Sequence, residues 1–126
     1  MVTACDPRRL RHQVALAEQA TTGSIQVSLA PMFWGDVRAF AERAFITFGM
    51  SATVERNAVL ILVAPRRKQL VILGDIGIYG KVSHHRWQTV VASASQRCRT
   101  GDMHGAVEQC VVDVGAILAQ HYPVAR

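Results

Sequence analysis

At 126 residues, 50% of them hydrophobic, the chain is long enough to bury one core and too short for two. Lys and Arg number 14 against 9 Asp and Glu, a formal net charge of +5, which permits weak attraction to nucleic acid, anionic lipid or acidic proteins. The cations sit in short clusters on different elements (Arg8, Arg9, Arg11; Arg66, Arg67, Lys68; Arg86, Arg97, Arg99) with no interleaved aromatic platform, so the charge reads as a solvated surface and argues against a nucleic-acid partner.

Cys5, Cys98 and Cys110 are an odd set with no CxxC spacing, as expected of free, packed thiols in a reducing compartment. "MVTACDPRRL" has no apolar signal core, and the run from Ala58 to Pro65 falls far below the roughly 20 residues that span a bilayer. Taken as complete, such a chain is expected in the cytoplasm, with at most peripheral contact to a membrane.

Along the chain, Asp6 followed by Pro7 is a helix opening. Leu10, Val14, Ala17 and Thr21 recur at helical spacing, which predicts a first helix to about residue 21, stopped by Gly23. "SIQVSLA" alternates, with Ile25, Val27 and Leu29 on one face, and predicts a half-buried strand near a sheet edge. After "PMFWG", Asp36 caps a second helix whose stripe is Val37, Phe40, Ala41, Ala44, Phe45 and Phe48, with Gly49 as its left-handed terminator. "NAVLILVA" is apolar throughout after Asn57, the pattern of a central strand covered on both faces. Pro65 to Lys68 then form a tight turn, and "QLVILG" returns antiparallel.

Ser83 opens a third helix with Trp87, Val90 or Val91, Ala94 and Cys98 inward. Gly101 and Asp102 restart the chain into a fourth, with Met103, Val107, Cys110, Val111, Val114, Ile117 and Leu118 on its stripe and Pro123 at its end. Gly115 inside that helix costs roughly 1 kcal/mol against alanine and points to close packing against a neighbour. The order of elements predicts a single α/β domain, a small mixed sheet of about three to four strands between helical layers. The first two strands should be parallel through a right-handed crossover and the third antiparallel to the second.

This topology brings three segments to one rim. Pairing Ala64 with Gln69 sets Ala58 opposite Asp75, with Arg56 and Asn57 alongside, and the parallel neighbour starts there with Thr22, Gly23 and Ser24. Thr53 and Gly77 complete the rim, and Trp87 is a candidate roof, although core packing is the ordinary role of tryptophan at this spacing. Asp75 is the candidate catalytic or metal-binding carboxylate. Its structural alternative is an Asx-turn flanked by glycines, with Gly77 expected at positive φ. One carboxylate is little for acid–base work, and a hard cation wants several oxygens. Glu55, nearest in sequence, reads as a solvated loop residue. His84 and His85 are adjacent helical positions about 100° apart and do not form a metal pair.

"TTGSIQVSLA", "RNAVLILVAPRRKQLVILGDIGI" and "KVSHHRWQTVVASASQRCRTGDMHGAVEQCVVDVGAILAQHYP" together resemble the TPM domain family over nearly the whole chain. That family includes a thylakoid protein linked to photosystem II repair and credited with acid phosphatase activity, and an accessory protein of acetylcholine receptors. The resemblance implies a compact sheet between helices. Relatives usually carry an acidic residue directly after the glycine that opens strand one; here it is Ser24, so the second carboxylate that the resemblance implies for a cation site is absent at that position. The reading that follows is a non-catalytic binding or assembly module for a protein or peptide partner. No cofactor is required, and the rim holds at most a weak divalent cation (Ca²⁺ or Mg²⁺). The alternative is a metal-assisted acid phosphatase centred on Asp75.

Overall fold

The computed structural model describes residues 7–30 and 34–124. Asp6 as a cap, Cys5 and the first three residues of the "PMFWG" loop, 31–33, lie outside them. The elements run α1 (Pro7–Glu18), β1 (Ser24–Leu29), α2 (Val37–Thr47), β2 (Ala58–Ala64), β3 (Gln69–Gly74), α3 (Ile76–Lys81), α4 (His84–Arg99) and α5 (Met103–His121). Among the described residues the sheet has three strands in the order β1-β2-β3. β1 pairs parallel with β2 from Ser24 opposite Ala58 to Leu29 opposite Val63, and β3 pairs antiparallel from Ala64 opposite Gln69 to Val59 opposite Gly74.

Period-2 geometry sends alternate side chains of each strand to opposite faces. Val59, Ile61 and Val63 of β2, with Leu70 and Ile72 of β3 and Ile25 of β1, join one core with residues of α1, α3, α4 and α5. Ala58, Leu60, Leu62 and Ala64, with Leu73, meet Val37, Ala41 and Phe45 of α2 in a second. All seven residues of β2 are buried, which explains why its sequence does not alternate: each face has its own helical layer. The α5 stripe packs as its spacing requires, and a side chain at Gly115 would stand 2.9 Å from the Ala17 Cβ of α1. Glycine there lets α1 and α5 approach. Cys98 and Cys110 are free and buried, and burial raises both thiol pKa values.

The caps at Asp36, Ser83 and Asp102 accept from the backbone N–H of Ala39, Arg86 and Gly105, as N-cap side chains do. Gly49 at φ 67° closes α2. Pro65–Arg67 wind as a short 3₁₀ turn with Lys68 left-handed at φ 52°. The basic turn meets the start of α2, where Arg67 donates to the Gly35 carbonyl.

Three expectations need correction. α1 ends at Glu18 rather than near residue 21, because Thr21 is drawn to the other end of the chain. It forms a bridge with Pro123, and its hydroxyl reaches the carbonyls of Leu118 and Tyr122 at 3.1 and 2.6 Å. β1 is the edge strand its alternation predicted, but its apolar face is not covered to the end: burial fades from Ile25 to Leu29, which is 46% exposed, since no described strand pairs with its outer edge. The residues after Asp75 are not a simple turn but the six-residue helix α3, anchored by Ile78, which is fully buried. Burying that isoleucine contributes about 2–3 kcal/mol, enough to offset two glycines in so short a helix.

Candidate functional site

The rim forms where the turn before β2 meets the start of α3. Arg56 sits at φ 53°, a left-handed conformation costing about 1 kcal/mol for a residue with a Cβ. Local hydrogen bonds hold it there. Its N–H donates to the Thr53 carbonyl at 3.2 Å, and its own carbonyl accepts from the Gly77 N–H at 2.8 Å. The next amide, Asn57 N–H, donates to the Thr53 hydroxyl at 3.2 Å.

This conformation aims the Arg56 guanidinium at Asp75. Nε donates to Oδ2 at 2.7 Å and Nη2 to Oδ1 at 2.9 Å, the two-pronged geometry that matches a guanidinium to a carboxylate. Oδ1 also accepts from the Ile76 N–H at 2.8 Å, and Asp75 N–H extends the β2–β3 ladder to the Ala58 carbonyl at 2.9 Å. The Asp75 side chain is 4% exposed and that of Arg56 40%. Burial pushes the Asp75 pKa up, but the Arg56 hydrogen bonds, the Ile76 amide and the Arg56 charge outweigh it and hold the carboxyl below its usual range. Asp75 is both the cap of α3 and one half of an ion pair.

Gly77 belongs to α3 and is not among the glycines at positive φ; its necessity is steric. A Cβ on Gly77 would lie 2.3 Å from the Glu55 carbonyl oxygen and 2.5 Å from that of Arg56. Only a residue without a side chain lets α3 lie against the 53–56 turn.

The third segment is tied in beside them. Asn57, 1% exposed, donates from Nδ2 to the Thr22 hydroxyl at 3.2 Å, and that hydroxyl donates to Glu55 at 2.8 Å. Gly23 N–H donates to the Thr21 hydroxyl at 3.0 Å. Ser24 is half-buried at the head of β1. Ala58 stands between it and Asp75 in the cross-strand row, so Ser24 and Asp75 are two strand spacings apart, about 10 Å. Trp87 does not roof the rim. It is a core residue, meeting the Tyr79 ring edge-on at 6.0 Å.

Two contributors escaped the sequence. Glu55 is exposed, as a solvated residue would be, yet its bond to Thr22 keeps a second carboxylate at the rim. Tyr122 donates from its hydroxyl to the Gly77 carbonyl at 2.6 Å and carries Lys81 Nζ 4.3 Å from its ring centroid. Burial, then the nearby Glu55 charge, raises the phenol pKa, which keeps it a donor. Only the position of Tyr122 before the helix-ending Pro123 hinted that the chain end is pinned. Among the described residues there is no group of three or more His, Cys, Asp or Glu able to hold a metal. Binding a cation at Asp75 would require Arg56 to swing away, with Glu55 and the Thr22 hydroxyl as the further oxygens nearby.

A match to the TPM domain covers residues 1–117. The chain belongs to the TPM-domain family. Among solved structures, this TPM domain superposes on the BA42 protein of the psychrophilic bacterium Bizionia argentinensis with a TM-score of 0.86 at 29% identity, over 94% of this chain and 82% of that one. The N-terminal domain of the cg2496 protein from Corynebacterium glutamicum gives 0.70 at 17% identity, over 94% and 74%. An N-terminal domain from P. gingivalis gives 0.68 at 12%, over 94% and 79%; these two show the fold alone. Among curated proteins none matches this chain. No helix among the described residues is long and apolar enough to cross a membrane.

Proposed function

We propose that this TPM domain is a non-catalytic binding or assembly module that recognises a protein or peptide partner, in a reducing, cytoplasmic setting. The observation that supports this reading is the closed Arg56–Asp75 pair. Both carboxylate oxygens accept from the guanidinium and one also from a backbone amide, so the candidate catalytic group is spent on joining the turn to α3. Phosphoryl transfer needs cationic groups free to meet phosphoryl oxygens and an activated nucleophile. Here the Arg56 cation is already neutralised, and the hydroxyls of Thr22 and Thr53 are engaged within the rim.

A second reading, metal-assisted phosphomonoester hydrolysis at Asp75, takes its support from Glu55 as a second carboxylate on the same rim. Assay with p-nitrophenyl phosphate, with and without Mg²⁺, Mn²⁺ or Ca²⁺, separates the two. The binding module gives no turnover above a buffer blank. Metal-dependent turnover abolished by Asp75→Asn would establish the phosphatase instead.

A further inference from the structure

Among the described residues β1 is an edge strand that pairs with β2 alone. Ala30 N–H donates to the Val63 carbonyl, so the even-numbered residues of this segment turn their backbone groups to β2, and Ile25, Val27 and Leu29 turn theirs outward. Glu18 accepts the Ile25 N–H at 2.7 Å, and the Gln26 amide makes a long 3.4 Å contact to the Val27 carbonyl. Among the described residues the outward N–H groups of Val27 and Leu29 have no acceptor.

A groove flanks this edge on each face of the sheet. Toward α1 a cleft of ≈ 580 Å³ is walled by Leu10, Val14, Ile25 and Val27. Toward α2 a cleft of ≈ 390 Å³ is walled by Ser28, Phe40, Ala44 and Phe48. A strand added to the edge would send successive side chains alternately to the two faces, one set into each cleft. Each cleft also carries a cation, Arg11 in the first and Arg43 in the second, and neither is ion-paired to a carboxylate among the described residues; Glu18, which also lines the first cleft, is engaged by the Ile25 N–H. Arg43 instead lies over the Phe40 ring at 5.9 Å.

We propose that the β1 edge is the docking site for an extended, acidic peptide segment of a partner protein. The segment pairs with Val27 and Leu29 as a fourth strand, fills both clefts with apolar side chains and sets carboxylates against Arg11 and Arg43. Charge selects this occupant over a second copy of the chain: two copies would each bring a net +5 and place the same arginines along one seam. The inference rests on the binding-module reading and names its surface, which is β-strand addition at an exposed edge rather than capture at the Asp75 rim.

The test titrates the ¹⁵N-labelled protein with a peptide of valine and isoleucine flanked by glutamates, and with its lysine-flanked counterpart. The glutamate peptide is expected to shift the amide signals of residues 25–29 and of the facing sides of α1 and α2. Val27→Pro, which removes an outward N–H and leaves the β2 ladder, should abolish those shifts while the rest of the spectrum stays native. If proline disturbs the fold, Arg11→Glu with Arg43→Glu tests the same site; it should weaken the glutamate peptide several-fold, the size two exposed ion pairs carry, and strengthen the lysine one. Shifts confined to residues 53–57 and 75–79 would overturn the edge and leave the binding module standing. Equal binding of both peptides, no binding, or self-association through β1 would also overturn it. Phosphatase turnover lost in Asp75→Asn would sink the underlying reading separately.

Discussion

The Asp75 rim and the β1 edge lie on the same small sheet and treat their polar groups in opposite ways. At the rim, Arg56 pairs with Asp75, Thr22 links Asn57 to Glu55, and Tyr122 holds Gly77. At the edge, the Val27 and Leu29 amides meet no acceptor among the described residues, and Leu29 is half exposed. A closed network rigidifies and contributes stability, whereas an open edge is a template for another chain. In this molecule the residues that resemble a catalytic site do structural work, and the plainer stretch keeps unspent bonding capacity.

If the contrast holds, substitutions at the rim should cost stability and those at the edge should not. Gly77→Ala should have the largest effect, about 3 kcal/mol, because the obstructing atoms are the Glu55 and Arg56 backbone carbonyls and cannot step aside as a flexible side chain would. Urea unfolding measures it; a loss below that of an ordinary surface substitution would break the rim half of the comparison.

Asp75→Ala removes the cap and the carboxylate acceptor together and should cost about 2 kcal/mol, with Asp75→Asn costing about 1 kcal/mol since it keeps an amide oxygen. The Asn variant also carries a pH signature. The folded carboxyl titrates below its usual range, so the wild-type advantage is fully present above about pH 4. It should then shrink as pH falls through the lowered value, where both folded and unfolded carboxyls are protonated. A difference between wild type and Asp75→Asn that stays constant across that acid range would show that the charge pair contributes nothing.

Tyr122→Phe should cost about 1 kcal/mol by orphaning the Gly77 carbonyl, and thermal melts with unchanged near-ultraviolet dichroism would place the loss in that single bond. Leu29→Thr should move stability by less than about 0.5 kcal/mol, since nothing described is packed over it at the edge. A loss as large as that of Tyr122→Phe would mean that the edge is covered, which removes the contrast.

The local reading reached the hairpin register, the convergence of Thr22, Asn57, Arg56 and Asp75, the caps Asp36 and Ser83, and the restart of a helix at Asp102, since each follows from spacing and side-chain chemistry of near neighbours. It did not reach α3. Two glycines in "IGIYGK" oppose a helix by about 1 kcal/mol each, and only the buried Ile78 and the Asp75 cap reverse that. The role of Gly77 was legible as a need for glycine, though not its reason: the pressure comes from a turn some twenty positions earlier.

By itself the sequence determined the layers of this TPM domain. Whether a strand is covered on one face or two, and where each of the longer helices begins, is written in the periodicity of apolar residues and in caps a few positions away. Only the tertiary structure decided how the polar residues are used. A carboxylate reads alike in sequence whether it is free to bind a cation or already held by a guanidinium 19 positions away. The difference lies in where the turn at Arg56 and the Tyr122 clamp meet α3, contacts across 19 and 45 positions that no local pattern encodes. The same holds for β1: its alternation placed it near a sheet edge, as it is, but could not say which of its outward backbone groups another part of the chain would take, as Glu18 takes the Ile25 N–H.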